Sequence, residues 1–370
     1  MGKFIILGFL IRLFFAVVQV IWPDALGILS QNKDALQFHE AAIEQLKESE
    51  IREFTIGHIY STWLSFVYWA SIESQLIGSI FSCSAWAASA YLLGKILKKT
   101  GTTKRRIEVS SLVYAMWPAS IVFCSTTLRE AYQILFVNLA AYGFILIVKE
   151  QRKISGCMCV YFATAGMSIL HGALIVAGGY LSLVGTLFAF RLQSLKYFIL
   201  ILSAVIGYYL VSMNLNGGLI DQMIKYQENL ILIEARANYR EHVEIHSFIE
   251  LVCFSVVAAI QYALEPFPWR LNSMLDILIA LSNLFEIFIL YRVSVFVCTC
   301  SGLLKKEDYF LIRSYLELSV VMLVIWGAGS ANWGTAVRHH IVNFGVLIIM
   351  FQMTGKCLYT IRGPFRNDRA

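Results

Sequence analysis

An all-α, polytopic membrane fold is what this sequence predicts, and three observations predict it. Of the 370 residues, 58% are hydrophobic and only 15% charged, with a mean hydropathy of +0.67; soluble domains carry about 25% charged residues. Long apolar runs recur from end to end. Short basic clusters separate them: Lys98, Lys99 and Lys104 to Arg106; Lys149, Arg152 and Lys153; Lys305 and Lys306; Arg362, Arg366 and Arg369. Cytoplasmic loops of membrane proteins carry basic residues in this way. The net charge of +6 therefore reads as membrane sidedness. No nucleic-acid motif accompanies it, and nucleic acid is not expected as a partner.

A span needs about 20 apolar residues. About ten candidates follow in order: 4–22, 74–97, 108–125, 128–148, 155–171, 173–190, 197–213, 276–300, 309–328 and 339–355. The first reads as an uncleaved helix, since WPDALG follows it without a small-x-small cleavage site. The 155–190 block reads as a tight pair of short helices. With the N-terminus inside, every basic cluster above falls on the cytoplasmic side, and so does the C-terminus.

Two apolar stretches, 56–70 and 247–269, do not fit that count. If either crossed alone, a downstream basic cluster would move outside. They are expected as outer-side interfacial or half-helices packed against protein, the setting in which irregular backbone is tolerated at that depth. The outer side thus carries loops at about 23–57 and 214–275 on a single integral membrane domain, 1–370. From Lys33 onward the first loop has helical character, with Leu36, Ile43 and Leu46 at near-helical spacing.

Eight cysteines include the pairs Cys157/Cys159 and Cys298/Cys300. Structural zinc sites use four ligands with wider C-x₂₋₄-C spacing, so neither a metal nor a cofactor is expected. There is no G-x-S-x-G, P-loop, H-E-x-x-H or G-x-G-x-x-G sequence.

Chemistry-bearing residues gather in four outer-side groups. Asp34, His39 and Glu40 lie in the first loop. Arg129 and Glu130 begin the fourth span. Arg236, Tyr239, Arg240 and His242 lie in the second loop, and Arg338, His339 and His340 precede the last span. Each has a bland reading as well: an acid at a helix start complements the helix dipole, and an arginine at a membrane boundary snorkels. His171 sits at the turn of the 155–190 hairpin, and Arg12 lies inside the first span, where snorkelling and a buried partner are both open. All four groups face one leaflet, so they can converge. Outward arginines suit phosphate or pyrophosphate, and a carboxylate or histidine suits a general base on a sugar hydroxyl. Solute transport needs charges at mid-depth and related halves, of which the sequence displays little.

The ordered stretches FLIRLFFAV, DALQFHEAAIEQL, IYSTWLSFVYWA, AMWPASIVFCSTTLREAYQ, YALEPFPW and TAVRHHIVNFGVLII resemble the polytopic GT-C type glycosyltransferases. They also resemble the related polymerase-like membrane proteins of bacterial surface-polysaccharide loci. The resemblance implies a bacterial cytoplasmic-membrane enzyme that transfers sugar or oligosaccharide from an undecaprenyl-(pyro)phosphate carrier on the outer leaflet, alongside other polysaccharide-assembly proteins. It implies Asp34 as the base, Arg129 as the arginine of the LRE segment and Arg338 as the late arginine near the lipid phosphate. With the residue groups above, the expected catalytic residues are Asp34, His339 and Arg338, and the expected substrate-binding residues are Arg129, Glu130, Arg240, His340 and His39. The chain departs from the protein mannosyltransferases, whose first-loop acids come as an adjacent Asp-Glu pair, because Ala35 follows Asp34. That favours the polymerase-like members. The alternatives are a GT-C monosaccharide transferase and a non-enzymatic flippase or transporter of lipid-linked glycans.

Overall fold

The computed structural model describes residues 1–22, 33–47, 56–202, 238–239, 243, 245, 247–300, 302 and 304–362. The named elements are helical: α1 (Gly2–Ile21), α2 (Lys33–Lys47), α3 (Ile56–Trp69), α4 (Gln75–Lys99), α5 (Lys104–Ala115), α6 (Pro118–Phe123), α7 (Glu130–Val148), α8 (Lys153–Leu170), α9 (Gly172–Ala189), α10 (Phe248–Leu264), α11 (Met274–Thr299), α12 (Lys306–Gly329) and α13 (Trp333–Arg362). Among the described residues eight are long and apolar enough to cross a membrane: α1, α4, α7, α8, α9, α11, α12 and α13. The chain is an all-α, multi-pass helical membrane protein.

α7 is the central helix. It is apolar nearly all round, as a helix surrounded by others must be, and it packs on α4, α8, α9 and α13. Its contact with α8 is backbone to backbone. A Cβ on Gly143 would lie 2.8 Å from the carbonyl oxygen of Gly156, so small residues set this approach.

Ion pairs sort the helix ends. Lys99 pairs with Glu150, and Lys149 with Asp308 at 2.6 Å, which brings the C-terminal ends of α4 and α7 to the start of α12. Gly355 of α13 lies against Arg106 of α5. This is the basic end. Asp34, Glu130, His171 and Arg338 gather at the other.

The expected span at 108–125 is broken. α5 stops at Ala115 and α6 restarts at Pro118, because proline lacks an N–H, clashes with the carbonyl four residues back, and keeps the preceding residue out of the helical region; Trp117 is extended, with φ −64° and ψ 115°. The break leaves carbonyls without intrahelical donors. Arg12 supplies one: fully buried, it donates to Ala115 O at 3.0 Å, to Ser120 Oγ at 2.8 Å and to Gly8 O at 3.0 Å, with its guanidinium 3.5 Å from the Trp86 ring centroid. Of the two readings of Arg12, the buried partner is the one found.

The remaining elements follow the expected order with local differences. α8 and α9 form the tight pair, hinged at His171. α3 and α10 have 14 and 17 residues, about 21 and 25 Å long, and fall short of a bilayer core of about 30 Å. The 197–213 span lies mostly outside the described residues. In α2 the fully buried positions are Ala35 and Ala42, with Ile43 and Leu46 packed beside them, while Leu36 is exposed; small side chains let α2 lie close on α3. α13 starts earlier than the expected 339, at Trp333, because Asn332 Oδ1 accepts the N–H of Gly334 at 2.6 Å and caps it. Arg338, His339 and His340 therefore lie inside the helix, about 8–10 Å from its start, and not ahead of it.

Candidate functional site

Three helices meet at Arg338. Its Nε and Nη2 lie 2.8 and 2.7 Å from Glu130 Oε1, and its Nη1 donates to Asp34 Oδ2. The three residues are 208 and 304 positions apart in sequence. Glu130 is buried in the first turn of α7, where the helix dipole favours a carboxylate. Its second oxygen, Oε2, is buried without a hydrogen-bond partner among the described residues. Asp34 is 49% exposed. Thr127 Oγ1 donates to Ala35 O at 2.8 Å and pins the start of α2 above this point. The arrangement is a buried acid, a bridging guanidinium and a half-open acid.

Around the triad stand Arg129, His171 and His339. Arg129 precedes α7 and donates from Nη1 to Leu170 O at 3.0 Å, capping the end of α8; its guanidinium lies 5.9 Å from the Phe38 ring centroid. The His339 ring stacks on Trp326 at 5.1 Å and meets His171 edge-on at 5.2 Å, with Nδ1 3.4 Å from Ser330 Oγ. Charges of Arg129 and Arg338 reach both histidines.

His171 caps α9: its Nδ1 accepts the Ala173 N–H at 3.2 Å, so the neutral ring carries its proton on Nε2. Burial first, then the charge of Arg129, pushes its pKa down to about 4. The unfolded chain, with an ordinary value near 6.5, therefore binds more protons between about pH 4 and 6.5. The associated stability is present above about 6.5 and is lost as pH falls through that window. The protein is expected to melt at a lower temperature at pH 5 than at pH 7. In His171→Asn, which keeps a capping oxygen, this difference should shrink; identical pH dependence of melting in both proteins would remove His171 as its source.

Of the sequence candidates, Asp34, Arg129, Glu130, Arg338 and His339 converge. His39 turns towards α3, with Nδ1 2.7 Å from Tyr68 Oη, and burial lowers its pKa. His340 faces another side of α13. Its Nδ1 lies 2.8 Å from Glu286 Oε2, its Nε2 3.2 Å from Tyr262 O, and its ring stacks on Tyr262 at 4.2 Å. Arg236, Arg240 and His242 lie outside the described residues. Their neighbour Tyr239 stacks on Trp333 and donates from its hydroxyl to Ser330 O at 2.9 Å.

Glu286, Tyr262 and Trp326 were not among the sequence candidates. A lone acid in the run LFEIFIL was the available signal, since an intramembrane carboxylate needs a partner. Mid-depth charge is also more abundant than the sequence reading allowed. Glu317 of α12 accepts from Lys196, Tyr180 and, at 2.9 Å, Tyr197, and Arg313 Nε donates to it at 3.1 Å.

Compared with protein-family models, curated proteins and solved structures, the chain matches none.

Proposed function

We propose that this protein is a membrane glycosyltransferase of surface-polysaccharide assembly. It would move a sugar or oligosaccharide from a polyprenyl-(pyro)phosphate carrier to an acceptor hydroxyl. The observation that carries the reading is the half-open Asp34 carboxylate held by Arg338, which the buried Glu130 anchors in turn, with Arg129 and His339 beside it, at the end opposite the basic loops. The positive-inside rule makes that end the outer leaflet of the cytoplasmic membrane and puts the starts of α1, α5, α8 and α12 on the cytoplasmic side.

In this reading the acceptor hydroxyl attacks the anomeric carbon as the bond from that carbon to the carrier phosphate oxygen breaks. Asp34, on the exposed side of the triad, accepts the hydroxyl proton. Arg338 orients Asp34, and Arg129 and Arg338 supply positive charge where the leaving phosphate gains negative charge. The resemblance of the LRE and late R-H-H stretches to the polymerase-like glycosyltransferases points the same way.

Asp34→Asn tests it, because the amide keeps an oxygen for Arg338 and loses the base. Gel ladders of surface glycan should collapse to unextended units, with the protein still present in the membrane at normal amount. An undiminished ladder overturns the role of Asp34. A product lengthened by one sugar only would favour the monosaccharide-transferase form.

A second reading, a flippase or transporter of lipid-linked glycans, is favoured by the charged groups inside the bundle, Glu286 with His340 and Glu317 with Lys196. For that function Asp34→Asn should leave glycosidic bond formation intact while lipid-linked units accumulate on the inner leaflet.

A further inference from the structure

The basic end holds a cleft of about 570 Å³ between α1, α4 and α5, lined among others by Tyr91, Lys95, Lys98, Lys104, Ile107 and Glu108. Of the other basic residues at this end, Lys99 is neutralised by Glu150 and Lys149 by Asp308. Lys95, Lys98 and Lys104 are exposed, and among the described residues none of them has an acidic partner. The cleft presents one carboxylate, Glu108, and it lies 3.9 Å from a further cation there, the Met1 ammonium. The cleft is therefore a positive site with apolar walls.

Its depth matters as much as its charge. α4 has 25 residues and is about 37 Å long, against a hydrocarbon core of about 30 Å. Lys95 and Lys98 belong to the last turn and a half, at headgroup level. Tyr91 is exposed one turn deeper, and the Lys95 ammonium lies 4.6 Å from its ring centroid. An amphipathic aromatic ring below an ammonium pair matches a molecule with a negative head and a greasy stem.

We propose that this cleft binds the phosphate of an anionic membrane lipid, with the headgroup among Lys95, Lys98 and Lys104 and the acyl chains running down past Tyr91. The site is at the opposite end of the bundle from the Asp34–Arg338–Glu130 triad and does not depend on what that triad catalyses. Basic pockets between membrane helices on the cytoplasmic side attract anionic headgroups, each lysine near the surface adding to the affinity.

The experiment is native mass spectrometry of the detergent-purified full chain, mixed separately with phosphatidylglycerol, phosphatidylcholine and inorganic pyrophosphate. Two double variants accompany it: Lys95→Gln with Lys98→Gln, and Lys305→Gln with Lys306→Gln, which removes equal charge from exposed positions at the same end but outside the cleft. Retained phosphatidylglycerol should fall about tenfold in the first double variant and stay near the wild-type level in the second. Equal losses in both would reduce the effect to general surface charge and overturn the site. Phosphatidylcholine retained as well as phosphatidylglycerol would overturn it too. Pyrophosphate binding that depends on Lys95 and Lys98, with no retained lipid, would reassign the cleft to a soluble phosphate. Melting temperatures of both variants within the wild-type range exclude misfolding as the cause.

Discussion

Arg338→Ala is expected to abolish polymer formation and to lower stability by about 3–5 kcal/mol, the range for removing one partner of a buried ion pair. Nearly all of that loss comes from Glu130. The Glu130 side chain is 3% exposed and Asp34 is 49% exposed, so truncation strands one carboxylate in the protein and releases the other to water. The Asp34 arm, like other exposed pairs, contributes at most about 1 kcal/mol. Arg338→Lys should retain part of the stability and little activity, since one ammonium cannot reproduce a fork that reaches both acids. Thermal unfolding in detergent and glycan ladders from the same preparations give the two readouts. The pair Glu130→Gln with Arg338→Ala separates strut from chemistry. Neutralising the stranded acid should recover most of the melting temperature while the ladder stays collapsed. Recovery of the ladder together with the fold would reduce Arg338 to a structural strut.

The helical membrane architecture was legible because hydropathy and loop charge are local quantities. Twenty apolar residues followed by Lys98 and Lys99 identify a span and its basic end without reference to the rest of the chain. The same signals placed Asp34, Arg129, Glu130 and Arg338 at one end. What they could not supply was who touches whom. The residue type of Arg338 suits phosphate, but no local signal tells that it also bridges two acids. That pairing depends on how α2, α7 and α13 meet, and nothing in a window of 20 residues encodes it.

The histidines illustrate the same limit. His339 and His340 are adjacent, but one residue on a helix is a rotation of about 100°. That rotation sends His339 to Trp326 and His171, and His340 to Glu286 and Tyr262. Helix starts were also displaced. The expected last span began where strong hydropathy begins, while α13 begins at Trp333, just after the Asn332 cap and six residues before 339. A first turn packed against protein through Trp333 and Ala336 needs no long apolar run of its own.

Arg12→Leu is expected to destabilise the protein by about 2–5 kcal/mol, and the sign follows from comparing two opposed effects. An arginine in mid-membrane costs about 2.5–3.5 kcal/mol, which leucine would relieve. Against that stand three hydrogen bonds from a charged donor, to Gly8, Ala115 and Ser120, at about 1.5–3 kcal/mol each, together with the stack on Trp86. The losses win. They should win chiefly at Ala115, because its carbonyl lost its intrahelical donor to the break before Pro118 and has no water to turn to. That gives the prediction a partner. In a Pro118→Ala background the chain can run helically through 116–118, Ala115 O regains the N–H of Ala119, and Arg12 loses its task. The penalty of Arg12→Leu should then shrink by at least about 1 kcal/mol, a coupling that thermal unfolding of the four proteins in a double-mutant cycle resolves. A penalty unchanged by Pro118→Ala would mean that Arg12 stabilises α1 through Trp86 and Ser120 alone, and that the broken helix is held by something other than the buried arginine.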